Sequence, residues 1–382
     1  MRVCLVYDCL YPYTVGGAER WYRNLGERLA SRGHDVTFLT RRQWGREEEP
    51  HIPGMRVVVV SPRMELYADG RRRILPPVLF GLGVLVHLLR HGKRYDVVHT
   101  ASFPYFSLLA ADAARRRGRF RLLVDWHEVW TRDYWLEYLG RVGGWLGWRV
   151  QRACLRVPQR AFCFSRLHER RLRELGLSGE LTRLEGQYAG PAPPEAPEPA
   201  RPVVVFAGRH IPEKRVPALV PALARARAQI PELRGEIYGD GPDRGRVLEA
   251  IADLGVAAFV ATPGFVDGDV LARALASALC LVLPSRREGY GLVVVESAAR
   301  GVPSVVAAGP ENAATELVDD AVNGVVATSA DADALAEAIV RVHRAGEHLR
   351  RSTLEWFRRN EERVSLERSL EVVAGAYESA DS

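Results

Sequence analysis

Short apolar runs alternate with helix-periodic segments along the chain. Arg2–Tyr7, Asp35–Thr40, Met55–Val60, Asp96–Thr100, Arg121–Trp126 and Arg160–Ser165 read as strands. Between them, Glu19–Arg32 carries Trp21, Leu25 and Leu29 on one face of a helix. Alternation of this kind predicts a parallel sheet with helices on both faces, hence an α/β domain. The pattern stops at Gly190–Pro202, where six prolines in thirteen residues bar a helix or a central strand and predict a stiff, extended linker. It restarts with Val203–Ala207, Gly235–Tyr238, Ala258–Val260, Leu279–Pro284, Ser304–Ala307 and Val325–Ala327. The expected organisation is an N-terminal domain over residues 1–189, a linker over 190–202, a second domain over 203–350, and a helical tail over 351–382 returning toward the first. Two doubly wound domains joined in this way leave a cleft at the carboxyl ends of their strands, where ligands bind in such folds.

The length of 382 residues suits two domains, and 47 % apolar with 26 % charged residues supplies core material and excludes wholesale disorder. The net charge of +6 is spread without a block of six like charges. That balance suits an anionic small ligand, and no nucleic acid partner is expected. Five scattered cysteines show neither zinc-site nor disulfide spacing, which points to a reducing cytoplasm. The apolar run after Arg2 is broken by Asp8 and is read as part of the fold rather than as a signal peptide. Ile74–Leu89 is a sixteen-residue apolar stretch flanked by Arg71-Arg72-Arg73 and Arg90, and it contains Pro76, Pro77 and His87. It is shorter than the ~18 to 20 residues that span a bilayer, so a buried helix is expected, with a helix lying on a membrane surface as the alternative.

Three segments carry chemistry. Gly16-Gly17-Ala18-Glu19 follows the first strand and opens a helix, so the backbone can approach a ligand and offer free N–H groups to an anion. A plain turn remains the other reading. Gly208-Arg209-His210-Ile211-Pro212-Glu213-Lys214 follows the first strand of the second domain, where two cations can hold a diphosphate. Lys214 stands out because Lys93 is the only other lysine among 53 cationic residues. In the third, Pro284 ends a buried strand, Glu288 follows in a loop, and a helix starting near Gly291 contains Glu296. The amides of Gly291 and Leu292 suit a phosphate, and the two carboxylates can accept hydrogen bonds from a sugar and a ribose. No G-x-G-x-x-G signature is present, since Gly81-Leu-Gly83 and Gly239-Asp-Gly241 lack the third glycine. Asp267-Gly-Asp269 begins a helical pattern and reads as a cap, so no metal is expected. His127 ends the strand Asp125-Trp126-His127-Glu128 and is a candidate site residue; His99 is a weaker one. The aromatic residues between Trp126 and Trp148 either line a ligand groove or fill the core.

Glu288 and Glu296 form the E-x7-E element of retaining GT-B glycosyltransferases of family 4, and the chain resembles that family from end to end. The resemblance rests on Gly16-Gly17-Ala18-Glu19, Gly33-His34-Asp35-Val36, Asp96-Val-Val-His99, Trp126-His127-Glu128, Gly208-Arg209…Glu213-Lys214, Gly239-Asp-Gly241-Pro242, Gly264-Phe265-Val266 and Val364-Ser365-Leu366-Glu367. It implies a GT-B fold, two Rossmann-like domains facing each other across a cleft, and transfer of a sugar from a nucleoside diphosphate donor with retention. UDP-sugar is favoured over GDP-sugar; the acceptor is a hydroxyl of a glycan, lipid-linked or natural-product molecule, and no cofactor is implied. By the same resemblance Arg209 and Lys214 bind the diphosphate, Glu296 the ribose and Glu288 the transferred sugar. Gly16 and Gly17 lie beside phosphates and acceptor, Phe265 beside the nucleobase, and His127 near the reacting centre. The catalytic set is then Glu288, His127, Arg209 and Lys214. Arg215 stands where the family often has glycine, and Glu185-Gly186-Gln187-Tyr188 replaces its usual Asn-Gly-Val-Asp turn. The rival assignments are a nucleotide-sugar epimerase of GT-B architecture and a noncatalytic nucleotide-sugar-binding subunit. A cytoplasmic location, with peripheral contact at the inner membrane face, is the expected setting.

Overall fold

The computed structural model describes residues 1–45, 48, 50–68 and 71–378, with backbone alone for Tyr67, Ala68, Arg71 and Arg72. The side chains of the Arg71-Arg72 pair and residues 379–382 of the expected tail therefore lie outside the described residues.

β1 (Arg2–Val6), β2 (Asp35–Arg41), β3 (Met55–Ser61), β4 (Val97–Ala101), β5 (Arg121–Trp126), β6 (Gln159–Cys163) and β7 (Gly179–Arg183) form one sheet in the order β3-β2-β1-β4-β5-β6-β7. Every pairing is parallel. Val3, Cys4, Leu5 and Val6 of the inner strand β1 are fully buried. Helix-covered parallel strands lose water on both faces, which is why they read as uninterrupted apolar runs. Helix Gly17–Ser31 buries Trp21, Leu25 and Leu29, the face its spacing predicts. β6 stops at Cys163, short of the expected Ser165, because the Ser165 hydroxyl accepts the His168 N–H and caps helix Arg166–Glu174. β7 was not expected; its sequence Gly-Glu-Leu-Thr-Arg is polar because it is an exposed edge.

β8 (Val203–Ala207), β9 (Arg234–Tyr238), β10 (Val260–Gly264), β11 (Cys280–Leu283), β12 (Ser304–Ala307) and β13 (Gly324–Ala327) form a second parallel sheet in the order β10-β9-β8-β11-β12-β13. The strand expected at Ala258–Val260 lies instead at β10. Its Thr-Pro-Gly ending resembles a turn, and an edge strand tolerates the proline.

The chain divides into two compact units, Met1–Glu185 with Glu367–Ser382, and Gly186–Leu366. Part of the expected tail, residues 351–366, thus belongs to the second unit. There, helix Ala332–Val364 buries Arg350, which donates to the Ala278 and Ala276 carbonyls at 2.5 and 2.8 Å. Helix Leu366–Glu378 buries Leu370, Val373 and Tyr377 within the first unit.

Two first-unit expectations need refining. Helix Leu75–His91 is not buried all round: Phe80, Val84 and Leu88 enter the core, and the opposite face is open. Of the aromatic residues, Trp126, Trp130, Tyr134 and Trp135 are core, and Trp145 is exposed. All five cysteines are free and buried.

Candidate functional site

In the second unit the strand order reverses between β8 and β11, and loops at the carboxyl ends on either side of such a point form the ligand crevice of open α/β sheets. The two loops are tied together. The Arg286 N–H donates to the Glu213 carbonyl at 2.9 Å, and the Arg287 guanidinium meets the Glu213 carboxylate at 3.3 Å. Between them, Lys214 Nζ lies 2.5 Å from Glu288 Oε1, and the Ser285 hydroxyl donates to the same oxygen at 2.7 Å. Residues Arg287–Glu288 pair in parallel with Glu311–Asn312, and Asn312 Nδ2 donates to the carbonyls of Ser285 (3.1 Å) and Ala307 (2.8 Å). The Glu288 carboxylate is therefore buried yet held by a cation and a hydroxyl, the condition under which an ionised carboxylate tolerates burial.

Arg215, next to Lys214, has φ 50° and ψ 34°, the left-handed conformation that glycine adopts freely. Gly291 has φ 101°, and a Cβ there would lie 2.6 Å from the Ala314 Cβ, so both conformation and space call for glycine. It is the N-cap of helix Leu292–Ala298, which carries Glu296 half-buried. Arg209 is exposed on the loop after β8. At the adjoining strand ends the Gly239 N–H donates to the Gly264 carbonyl at 2.8 Å, and Phe265 follows, 67 % exposed. Asp267 takes the N-cap position of helix Gly268–Ala276 and Asp269 its first turn, but the Asp267 side chain makes no capping hydrogen bond.

Sequence reading passed over three residues here: Ser285, Asn312 and His210. His210 is fully buried, its ring set edge-on to Phe206 at 5.9 Å. Its N–H donates to the Asp240 carbonyl and its own carbonyl accepts the Asp243 N–H, both at 2.8 Å. Burial holds its imidazole below the ordinary value, hence neutral at pH 7. No spacing rule marks a lone serine or asparagine; proximity of His210 to Arg209 was the one available signal.

The first unit holds the other candidates. Gly16 is the N-cap of helix Gly17–Ser31 in an extended conformation, φ −174°. His127 follows β5 and stacks on Phe164 at 4.7 Å and 4°, with Tyr22 edge-on at 6.2 Å. Burial lowers its pKa, so it too is neutral at pH 7. Two residues earlier, Asp125 Oδ2 accepts the Trp21 indole N–H at 2.7 Å, while Oδ1 lies 2.9 Å from His99 Nε2. His99 Nδ1 is in turn 2.6 Å from the Tyr377 hydroxyl. His99 is thus engaged in the interior.

The family of glycosyl transferases group 1 matches residues 201–345, and the glycosyl transferase 4-like domain matches residues 16–184. Among curated relatives, a GDP-mannose-dependent alpha-(1-6)-phosphatidylinositol monomannoside mannosyltransferase of Mycolicibacterium smegmatis is 34 % identical over 36 % of this chain and 38 % of its own length. An MMP alpha-(1->4)-mannosyltransferase of Mycolicibacterium hassiacum is 26 % identical, with 88 % of each chain covered. Among solved structures, sucrose-phosphate synthase of Thermosynechococcus elongatus superposes with a TM-score of 0.79 at 22 % identity, covering 99 % of this chain and 98 % of its own. Anabaena HepE, solved with UDP, gives 0.75 at 18 % identity, covering 99 % and 100 %.

Proposed function

Because the chain belongs to the glycosyl transferases group 1, the family-4-like glycosyltransferases of GT-B fold, we propose that it moves a sugar from a nucleoside diphosphate donor to an acceptor hydroxyl with retention of anomeric configuration. The observation that carries this reading is the Lys214–Glu288–Ser285 cluster on the two loops flanking the strand-order reversal. Lys214 and exposed Arg209 take the donor diphosphate, with the Gly291 and Leu292 amides beside them. Glu288 accepts from the hydroxyls of the transferred sugar, Glu296 from the ribose, and the open Phe265 ring stacks on the nucleobase. Gly16, Gly17 and His127 serve the phosphates, the acceptor and the reacting centre.

As the glycosidic bond to phosphate breaks, negative charge grows on the leaving oxygen, and fixed cations stabilise that charge more than the ground state. On the same face the leaving oxygen takes the acceptor proton, so no separate carboxylate base is needed, and Lys214 and Arg209 fill the charge-neutralising role without a metal. UDP-sugar is the favoured donor, supported by the UDP complex of the structural neighbour; GDP-sugar is second, in keeping with the GDP-mannose-dependent relative. The acceptor is a glycan, lipid-linked or natural-product hydroxyl. Five free, buried cysteines fit a cytoplasmic enzyme.

A panel of nucleotide sugars scored by thermal shift tests the donor, since a ligand that binds the folded state raises its melting temperature by mass action. One nucleotide series should stabilise the protein, Glu288→Ala should abolish transfer, and proton NMR of the product should show the donor's anomeric configuration. Isomerisation of the donor without acceptor would replace this reading with an epimerase.

A further inference from the structure

Helix Leu75–His91 has two unlike faces. Phe80, Val84 and Leu88 are fully buried in the first unit's core. On the other side Leu75 is 56 % exposed, Leu82 52 %, Val86 45 % and Leu89 39 %, with Ile74 at 61 % just before the helix. Positions 75, 82, 86 and 89 are spaced i, i+7, i+11 and i+14, so they form one apolar stripe, roughly 21 Å long at 1.5 Å per residue. From Arg71 to Tyr95 the sequence holds no carboxylate. Arg73 at one end, and Arg90, Lys93 and Arg94 at the other, are exposed, and none forms an ion pair with a described residue. Burial and the neighbouring His91 push His87 down to about 4, so at neutral pH it adds no charge between those ends.

Leu75–Arg94 is long and apolar enough to cross a bilayer, but one side of the helix is packed in the first unit's core, and spanning would pull it out. What the open side offers is an uncharged apolar strip bracketed by unpaired cations. That pattern matches an anionic bilayer surface, whose acyl boundary takes the strip and whose phosphates take the cations. We propose that helix Leu75–His91 docks the protein, lying in the plane of the membrane, on anionic lipid. Isolated exposed apolar residues are ordinary on protein surfaces, but three leucines and a valine on one helical line between cations make a continuous contact face. The proposal stands apart from the transferase reading, because docking is measured with neither donor nor acceptor present.

The test is co-sedimentation of the full chain with phosphatidylcholine vesicles and with mixed phosphatidylcholine–phosphatidylglycerol vesicles, at low and high sodium chloride. Binding is expected on the mixed vesicles and should weaken with salt. Leu82→Gln with Val86→Gln should lower partitioning by about tenfold. Removing Arg90, Lys93 and Arg94 by glutamine should cost about fivefold per cation at low salt. Both sets lie on the open surface and should melt like the parent protein. Absence of binding at low salt would overturn the proposal, as would equal binding to both vesicle types. Undiminished binding by both variants would also overturn it. So would loss of binding on Trp145→Ser alone, which would place the contact on another exposed apolar patch, around Val142, Trp145 and Leu146. Vesicle-free self-association abolished by Leu82→Gln with Val86→Gln would instead make the stripe a contact between copies of this chain.

Discussion

Lys214 and Glu288 meet on two loops of the second unit with their side chains 21 % and 8 % exposed, whereas His99 and Asp125 meet on the adjacent strands β4 and β5 of the first at 0 % each. Both are a carboxylate beside a nitrogen base. Around Asp125 each group has a fixed neighbour, Trp21 on one oxygen, His99 at the other, and Tyr377 beyond His99, as an interior charge demands. Burial alone would raise the Asp125 pKa; His99 and the Trp21 N–H outweigh it and hold it below the usual carboxylate range. Around Glu288 the Ser285 hydroxyl is a second donor, so the carboxylate would keep a partner if Lys214 swung away. A charge that holds the fold together needs surroundings that do not change, and a charge that handles a ligand needs a partner that can leave.

Asp125→Ala breaks the contrast most severely. It strips the acceptor from Trp21 and the carboxylate from beside His99 in the interior, and a urea titration should show a loss of about 3–5 kcal/mol. A loss under about 1 kcal/mol would mean the network carries little. Lys214→Ala should act on rate instead, lowering kcat/KM by about 10²- to 10³-fold while destabilising less than Asp125→Ala. Steady-state kinetics within tenfold of the parent would remove Lys214 from the chemistry.

Asp125→Asn sharpens the comparison through pH. A carboxylate with a depressed native pKa contributes stability above its unfolded value, near 3.9, that is lost as pH falls through the lower native value. The variant should therefore be less stable at pH 7, and the gap should close below about pH 3.9; a gap independent of pH would contradict the depressed value. The smallest effect belongs to Ser285→Ala, which removes one of two donors to Glu288 and should lower kcat/KM about five- to tenfold with the melting temperature nearly unchanged.

Legibility followed burial. Strands covered on both faces, such as β1 and β8, were plain in the sequence because parallel sheets must be apolar throughout. The exposed edge β7 and the proline-bearing edge β10 were missed or displaced because nothing compels an edge to be apolar. Glu288 and Lys214 stood out by residue type and position, Ser285 and Asn312 did not, since serine and asparagine are common in any loop. Helix Leu75–His91 misled for a related reason. Its packed and open sides both carry large apolar residues, so the sequence does little to tell one from the other.

The order of residues alone determined two helix-covered parallel sheets and the presence of Arg209, Lys214, Glu288 and Glu296 at one set of strand ends, because periodicity and loop chemistry are local properties. Tertiary structure decided which oxygen Lys214 meets, and that Tyr377 closes on His99 from 278 positions away. It also decided which side of helix Leu75–His91 stays in water. Those outcomes depend on what distant chain segments cover, and burial is set by neighbours in space rather than in sequence.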